Sequence, residues 1–383
     1  MRSRYLVGPT PVVVPDRGAV LRESRFETHP AEVVLSCADL DANVAFFTER
    51  LGFRIETVFP ADDPTVTVVS GHGLHLRLVR GDDGRGTTLR LPSTASIDGA
   101  DLGIAPNGTR VEFAPEETDV ELPPVQPTLV VSRATDDAAW ITGRAGMLYR
   151  DLIPGRLGGG FIASHIRIPT GGPVPDYVHF HRVLFQMIYC VRGWVRVVYE
   201  DQGPPFVLRA GDSVLQPPGI RHRVLECSDG LEVVEVSSPA QHETWADHEL
   251  ELPNETVRAD RTFDGQRFVQ HVAKTAPWTT THDAAAESRD LQFDAATNGA
   301  ARVRVLRLRA GSDAANLCHR DNLSFRFVLE GDVSFTVDGG EPDLLRSGDS
   351  LVVPRDTVHA LRAGDHGVTL LEVGVPTRAA ADS

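Results

Sequence analysis

The chain has 383 residues, of which 41% are hydrophobic, 24% charged and 7% aromatic. This length exceeds that of one ordinary domain, so we expect two or three. Acidic residues outnumber basic ones by 53 to 38, which gives a formal net charge of −15. Such a surface repels phosphate groups, so nucleic acid and anionic membranes are disfavoured as partners and a small-molecule substrate is expected.

The sequence also predicts a cytoplasmic location. No apolar run is long enough to span a bilayer, and the first residues lack the apolar segment of a secretory signal. Four cysteines, Cys37, Cys190, Cys227 and Cys318, are far apart and form no Cys-x-x-Cys pair. We therefore expect reduced thiols and neither disulfides nor a zinc knot.

Residues 30–115 are predicted to form a small α+β module. Its first strand runs from Glu32 to Cys37, and apolar residues at helical spacing predict a helix from Leu40 to Leu51. Asp39 is a suitable N-cap for this helix and Gly52 a suitable stop. Three further strands are expected near Phe53–Val58, Thr65–Ser70 and Leu74–Arg80.

The rest of the chain is expected to be mainly β. Residues 1–29 are interpreted as an N-terminal extension, and residues 116–146, rich in proline and acids at their start, as a linker. From residue 147 onward, short β-branched runs alternate with glycine and proline, which is typical of many short strands. Two weaker helices are predicted, near Thr135–Thr142 and within Thr281–Asp290.

An internal repeat divides this β region. Three phrases recur in the same order at offsets of 137 to 140 residues: 166–171 with 306–311, 189–193 with 327–331, and 211–215 with 348–352. A repeat of this length indicates a duplicated domain. We place the first copy at residues 147–253 and the second at residues 254–383.

The first copy carries a pattern of metal-ligand type. His179 and His181 are two positions apart, so on a strand both side chains point to the same face. Gln186, after a bend, and His222, from a separate strand, could complete a pocket with them. Imidazole is a common ligand of Fe, Ni, Cu and Zn, so these four residues are the predicted metal ligands.

The spacing resembles the two motifs of the cupin superfamily. The first motif is His-x-His, four residues, Glu, six residues and Gly, and it is matched from His179 to Gly193 except that Gln186 replaces the Glu. The second is Gly, five residues, Pro-x-Gly, two residues and His, and it is matched from Gly211 to His222. The resemblance implies two jelly-roll β-barrels, a bicupin, with one divalent transition metal per chain. Fe(II) is the expected metal, with Mn, Ni, Co, Zn or Cu as alternatives.

Gln186 alters the expected chemistry. An amide supplies neither the negative charge nor the proton acceptor of a Glu ligand. Three neutral imidazoles then leave the full charge on the metal, whether or not Gln186 coordinates. This favours an anionic or chelating substrate. A cupin that only binds its ligand is the other interpretation.

In the second copy, two of the four ligand positions keep a histidine. His319 and His359 correspond to His181 and His222, whereas Leu317 and Ser324 occupy the other two positions. Two ligands are few for tight metal binding, so this copy is predicted to be degenerate, with at most a vestigial site.

Two further residues are candidates for catalysis. Arg167 could clamp a substrate carboxylate, although its recurrence as Arg307 also suits a structural ion pair. Tyr177 has the same strand parity as His179 and His181 and could donate a hydrogen bond to the substrate, or else cap the barrel mouth.

The N-terminal module resembles the glyoxalase/bleomycin-resistance (vicinal oxygen chelate) family in its strand–helix–three-strand order. Glu32 lies where that family commonly has a metal ligand on the first strand. On the last strand, Arg77 stands where a Glu is usual, with His75 on the same face, which argues against an ordinary metal site. Such units normally pair, so either residues 95–145 hold a degenerate second unit or two chains form a homodimer.

Together these features predict a metal-dependent enzyme. Resemblance to cupins implies dioxygenases, isomerases, decarboxylases or lyases, and an Fe(II)-type dioxygenase acting on a small oxygenated or aromatic acid is the leading expectation. A non-oxidative isomerase or lyase and a non-catalytic binding protein remain alternatives.

Overall fold

The computed structural model describes residues 30–82, 86–92, 103–114, 119–135, 140–281 and 286–377. The predicted extension at residues 1–29 lies outside them. The described residues fall into two compact units, the second of which begins at Asp119. Within the described part of the chain, none of the helices has the length and hydropathy needed to cross a membrane.

The first unit is a small α+β sheet. Its strands are β1 (Val33–Cys37), β2 (Arg54–Phe59), β3 (Val66–Gly71), β4 (Leu74–Arg80), β5 (Thr88–Pro92) and β6 (Arg110–Ala114). The first four form a sheet in the order β1-β4-β3-β2, in which β1 is parallel to β4. Strands β5 and β6 form a separate parallel pair. The predicted order of a strand, a helix and three strands is confirmed.

The helix of this unit begins and ends where the sequence predicts. Helix α1 (Leu40–Ala45) continues as a π-helical segment, Phe46–Arg50. Asp39 caps it by accepting a hydrogen bond from the Ala42 N–H at 2.9 Å. Gly52 ends it with a φ of 71°, which glycine adopts without the strain of a Cβ atom. The buried face of the helix packs into the core of this unit through Leu40 and Phe47.

The second unit contains the remaining strands. In residues 119–281 they are β7 (Val130–Ser132), β8 (Trp140–Thr142), β9 (Leu148–Asp151), β10 (Ile162–Ile168), β11 (Gly172–Pro173), β12 (His179–His181), β13 (Phe185–Arg192), β14 (Trp194–Tyr199), β15 (Phe206–Arg209), β16 (Ser213–Leu215), β17 (His222–Cys227), β18 (Leu231–Ser238), β19 (Thr244–Ala246), β20 (Thr262–Phe263), β21 (Gln266–Arg267), β22 (Val269–His271) and β23 (Thr279–Thr280). In residues 286–377 they are β24 (Ala286–Asp290), β25 (Arg302–Leu308), β26 (Asp313–Leu317), β27 (Leu323–Val337), β28 (Asp343–Arg346), β29 (Ser350–Val352) and β30 (His359–Val375), with helix α2 (Phe293–Ala296) between β24 and β25.

These strands form two jelly-roll barrels with matching topology. In the first barrel, a sheet ordered β22-β16-β13-β18-β10-β9-β8 faces a sheet ordered β15-β14-β17-β12-β19. In the second, the corresponding path is β7-β29-β27-β30-β25-β24-β23. The long strands β27 and β30 also pair with β28 and β26, and so extend across both faces of that barrel. The mainly β fold and the duplication predicted from the sequence are confirmed.

The two barrels exchange edge strands. Strand β22 follows the first barrel in the sequence and pairs with its β16, with Val269 opposite Leu215. Strand β7 precedes the first barrel but pairs with β29 of the second, with Val130 opposite Val352. The structure thus differs from the expected division at residues 116–146 and 254, because strands from both flanking segments complete a sheet edge of a barrel.

A shared core joins the two barrels. One cluster of buried side chains combines Met187 and Tyr189 of the first barrel with Phe325 and Phe327 of the second. Each barrel also has its own interior cluster. The burial of apolar area between the barrels is the main reason why residues 119–377 form one compact unit.

The two weaker helices predicted in this region are wrong in the parts that the structure describes. Trp140–Thr142 is the edge strand β8, and Ala286–Asp290 is the strand β24. Both pair with a neighbouring strand, β9 and β25 respectively, and this pairing overrides weak local propensity.

Candidate metal centre

The first barrel encloses a cavity of about 420 Å³. Alternate residues of its strands point inward, and most of them are apolar, including Ile162, Ile166, Ile188 and Val233. Polar side chains also line the cavity: Arg144, Ser164, His179, His181, Gln186, Gln216, His222, Glu235, His242 and Thr244. This combination is typical of a small-molecule site, in which an apolar wall excludes water and a few polar groups orient the ligand.

The structure brings three predicted ligands together. His179 and His181 project from β12, and His222, the first residue of β17, lies directly opposite His179 in the strand register. Their ring centroids are 4.3 Å apart for His179 and His222, 5.2 Å for His179 and His181, and 5.3 Å for His181 and His222. One ligand atom from each lies within 4.8 Å of the others.

Hydrogen bonds fix the orientation of each imidazole. The Nδ1 of His179 donates to the Tyr177 carbonyl at 2.8 Å, and the Nδ1 of His222 donates to the Ile220 carbonyl at 3.0 Å. The Nδ1 of His181 is hydrogen-bonded to the Thr244 hydroxyl at 2.9 Å. Each ring therefore keeps its Nε2 as the atom that could bind a metal, an arrangement common among metal-ligating histidines.

Burial keeps these histidines neutral. Loss of hydration lowers the pKa of His179, and lowers that of His222 well below its usual value. For His181, burial and the neighbouring His179 lower the pKa to about 2. Neutral imidazole is the form that ligates a metal, so the three residues suit a divalent transition ion.

Gln186 lines the same cavity beside the three histidines and is 2% exposed. Its amide Nε2 donates a hydrogen bond to the Glu235 carboxylate at 3.0 Å, so the amide oxygen is the atom that remains for coordination. Glu235 also accepts from the Ser237 hydroxyl at 3.2 Å. A carboxylate is thus present near the histidines, although not at the motif position.

Arg144 is the principal cation of the cavity. Its Nη1 lies 2.5 Å from Asp176 Oδ1, and its Nη2 donates to His179 Nε2 at 3.0 Å. Asp176 is fully buried and also accepts from the Val224 N–H at 2.9 Å, so the ion pair has a fixed anchor. Since a lone pair serves one partner at a time, a metal at His179 Nε2 would release this guanidinium for an anionic ligand.

Gln216 also lines the cavity and has both amide atoms buried without a hydrogen-bond partner. Buried polar groups in folded proteins are nearly always paired, so an unpaired amide beside a cavity is a candidate contact for a bound ligand. Neither Gln216 nor Arg144 was a sequence candidate.

The structure places Arg167 away from the cavity. On β10 the inward positions are those of Ile162, Ser164, Ile166 and Ile168, and Arg167 has the opposite parity. Its guanidinium stacks on Trp140, 4.5 Å from the ring centroid, and lies 3.2 Å from Glu232. Its position supports the structural alternative and not the substrate clamp.

Arg307, which corresponds to Arg167 in the second barrel, makes the same two kinds of contact. Arg307 stacks on Trp278 at 4.1 Å and lies 3.7 Å from Glu287. The same stacking and pairing in both barrels indicate a shared structural role for these arginines.

Tyr177 lies at the barrel mouth. Its side chain is 43% exposed and its ring is 5.9 Å from that of His179. The Arg144 guanidinium is 5.8 Å from the same ring. Tyr177 thus borders the site through His179 and Arg144, and its direct contact with a substrate stays a prediction.

His319 and His359 do not form a comparable site. Their ring centroids are 6.3 Å apart. His319 Nε2 donates to the Val353 carbonyl at 3.0 Å, and its Nδ1 accepts from the Asp321 N–H at 3.2 Å, so both ring nitrogens are used. In the described part of the chain, the group formed by His179, His181 and His222 is the one cluster of at least three such ligands.

In the N-terminal unit, Glu32 is paired with Arg77 at 2.5 Å. His75 lies beside Ser70 across the β3–β4 ladder. Arg77, the cation that argues against a metal site in this unit, therefore pairs directly with the carboxylate of Glu32.

Two segments, residues 164–237 and 304–374, match the model of the cupin domain family. One match lies in each of the two barrels described above, so both copies of the repeat are similar to the cupin domain. No curated protein matches the sequence.

Solved structures with similar folds include enzymes of two kinds. The first is a variant of salicylate 1,2-dioxygenase from Pseudoaminobacter salicylatoxidans in complex with gentisate, with a TM-score of 0.50, 18% identity, and coverage of 66% of this chain and 83% of that one. The second is oxalate decarboxylase. The Lactobacillus farciminis protein has a TM-score of 0.49, 15% identity and coverage of 64% and 86%, and the Bacillus subtilis protein has 0.49, 14%, 70% and 80%. At these identities the likeness concerns the fold.

Proposed function

We propose that the protein is a metal-dependent enzyme that acts on a small anionic or chelating metabolite in the first barrel. The observation that carries this proposal is the group of three buried, neutral histidines whose ligand atoms lie within 4.8 Å of one another beside a 420 Å³ cavity. A divalent transition metal would be held by His179, His181 and His222, with Gln186 as a fourth candidate ligand.

When bound, such a metal would supply a positive centre for a chelating substrate and, if it is Fe(II), a means of using O₂. The other tasks belong to the chain. Arg144, anchored by Asp176, binds and orients the anionic group of the substrate. Apolar side chains such as Ile188 and Val233 keep bulk water out of the cavity.

Glu235 is the candidate proton acceptor. Its carboxylate lines the cavity, and its hydrogen-bond partners there are neutral, the Gln186 amide and the Ser237 hydroxyl. A substrate hydroxyl or C–H proton would pass to a Glu235 carboxylate oxygen as the substrate becomes an anion. Gln186 positions this carboxylate by donating to it.

A dioxygenase is the proposed reaction class, since a centre with three protein imidazoles leaves positions for both substrate and O₂. The second candidate is a non-oxidative isomerase or lyase. The position of Glu235 favours this alternative, because proton removal beside a positive centre is sufficient for enolate chemistry.

The decisive experiment starts with metal analysis of protein purified without oxygen and reconstituted with Fe(II). We expect about one ion per chain, and loss of that ion in His179→Ala and His222→Ala but not in the second-barrel control His319→Ala. Oxygen uptake would then be measured with a panel of small hydroxylated and aromatic acids. Failure of the wild type to hold a stoichiometric divalent metal would refute the enzyme proposal, and turnover without oxygen uptake would select the isomerase or lyase.

We further propose a cytoplasmic location, a homodimer, and for the N-terminal unit a vicinal-oxygen-chelate-like role in assembly without its own metal. The ion pair of Glu32 with Arg77 supports the last point, because it occupies the carboxylate that such a site would need.

A further inference from the structure

The second barrel keeps the buried carboxylate of the first but changes its neighbours. In the first barrel, Glu235 lies between Ser164 on β10 and Ile188 on β13 in the strand register. Neither neighbour is charged, so the carboxylate is left available to the cavity.

The equivalent carboxylate of the second barrel is Glu372, which lies between Arg304 on β25 and Arg326 on β27. Arg304 Nε donates to one carboxylate oxygen at 2.6 Å and Arg326 Nε to the other at 2.7 Å. Burial acts to raise the pKa of Glu372, but the two guanidiniums outweigh it and the pKa is lowered. One carboxylate is thus shared between two guanidiniums, so the part of the cavity wall around Glu372 carries one more positive than negative charge.

Two polar atoms at this site lack hydrogen-bond partners. They are Nη1 of Arg326 and Nε2 of His359, and both residues line a cavity of about 530 Å³ in the second barrel. His359 is 3% exposed. Its Nδ1 donates to the Thr357 carbonyl at 3.2 Å, so in the neutral ring Nε2 is a hydrogen-bond acceptor. The site therefore offers an unused cationic donor and an unused acceptor.

The rim of the cavity restricts the charge of a ligand. Asp290 and Asp294 also line it, and Arg302 is already paired with Asp321 at 2.7 Å. A ligand with several negative charges would be repelled by these carboxylates, whereas a ligand with one negative charge can place it beside Arg326. The remainder of the ligand is expected to be uncharged and polar, because the cavity walls are rich in hydrogen-bonding side chains such as Ser288 and Ser324.

We infer that the second barrel is a separate binding site for a hydroxylated monocarboxylate. The carboxylate pairs with Arg326, and a hydroxyl of the same molecule donates to His359 Nε2. This role is independent of the metal, because both ring nitrogens of His319 are already used within the protein.

The test is calorimetric titration of the full-length protein with gluconate as the probe, after chelation of any metal in the first barrel. Hexanoate, of equal carbon length but without hydroxyls, is the matched control ligand. We expect one gluconate per chain and at least about 10-fold weaker binding of hexanoate, since a site built for hydroxyls rejects an analogue that lacks them.

Variants then locate the site. Arg326→Met and His359→Phe should each weaken gluconate binding by at least about 10-fold, while His222→Ala, in the first barrel, should leave it unchanged. Thermal unfolding checks that each variant is folded, and His359→Phe carries the test if Arg326→Met is not. Absence of gluconate binding, equal binding of hexanoate, loss of binding in His222→Ala, or a second stoichiometric metal ion in the second barrel would overturn the inference. If the wild type binds no metal on reconstitution with Fe(II) but still binds gluconate, the proposed enzyme is refuted while this site is supported.

Discussion

The side-chain amide of Gln186 donates a hydrogen bond to the carboxylate of Glu235 at 3.0 Å. These residues lie on the adjacent strands β13 and β18, where Ile188 is the direct register partner of Glu235. Where the cupin motif has a ligand carboxylate, this barrel has an amide that holds a second carboxylate beside the histidines. The barrel therefore still contains a carboxylate, but it belongs to Glu235 and not to the ligand position, and there it can accept a proton.

Replacing Gln186 with Glu should therefore destabilise the protein and not improve it. The variant would place two buried carboxyl groups within hydrogen-bond distance, and they would share one proton with a raised pKa. A group with a raised pKa in the folded state contributes stability that is present below its unfolded value and is lost as pH rises. We expect Gln186→Glu to lose about 1–3 kcal/mol of unfolding free energy at pH 8 and less at pH 5. Thermal unfolding at both pH values measures this, with Gln186→Met as the uncharged control, and equal losses at both would contradict it.

Replacing Arg144 with Gln should tighten metal binding. Arg144 donates to His179 Nε2 at 3.0 Å and places a positive charge beside the three histidines, so it competes with a metal for the same lone pair. We expect the affinity of Arg144→Gln for Zn²⁺ or Co²⁺, measured by chelator competition, to rise on the order of 10-fold. Arg156 also lines the cavity but pairs with Asp151 at 3.6 Å, so Arg156→Gln is the matched control. Unchanged affinity in Arg144→Gln would show that this hydrogen bond is absent in solution.

The shared core predicts that the two barrels unfold together. Phe327 of the second barrel is 1% exposed and belongs to the same buried cluster as Met187 and Tyr189 of the first. We expect Phe327→Ala to lower the unfolding free energy by about 3–5 kcal/mol and to lower the temperature of metal release from the first barrel. Val257→Ala, at a side chain that is 63% exposed, is the control. Metal release at an unchanged temperature in Phe327→Ala would mean that the barrels unfold separately.

The environment of His165 leads us to expect that acid lowers the unfolding free energy of the shared core. Its Nε2 is 2.9 Å from Glu232, its Nδ1 accepts from Arg150 Nη2 at 3.3 Å, and its ring is 5.4 Å from that of Phe327. Burial is the main cause that lowers its pKa, against the opposing effect of Glu232. The unfolded chain therefore takes up a proton at higher pH than the folded one, and stability falls as pH drops below about 6.5.

We expect His165→Gln to reduce the loss of unfolding free energy between pH 7.5 and 5.5, by up to about 1.4 kcal/mol per pH unit. Denaturant unfolding at the two pH values measures this. The exposed His366 provides the control His366→Gln, which should follow the wild type. An equal pH dependence in His165→Gln and the wild type would assign the acid sensitivity to other groups.

Sequence reasoning found the parts of this protein that follow a local period. The two-residue spacing of His179 and His181 and the cap at Asp39 depend on neighbouring residues, and the repeat is found by comparing the sequence with itself. Glu235 could also have been found, because it is a charged residue on the same strand face as the apolar Leu231 and Val233.

The remaining features depend on contacts that are distant in the sequence. Arg144 reaches His179 across 35 positions from a segment interpreted as a linker, and no local signal marks it. The direction of Arg167 depends on how β10 faces the barrel, which its recurrence as Arg307 suggested but did not decide. The pairing of β7 with β29 spans more than two hundred residues, and a sequence pattern for short strands does not specify partners.

The exchanged strands have a consequence for synthesis on the ribosome. The first barrel lacks its edge strand until Val269–His271 has left the exit tunnel, and Val130–Ser132 must wait for Ser350–Val352, which is made more than two hundred residues later. Strand β7 is thus held unpaired while the intervening residues are made, which exposes it to pairing with other nascent chains. We expect the yield of folded protein to depend on chaperones that bind emerging segments, and a chain that ends before residue 350 to be captured by them instead of folding.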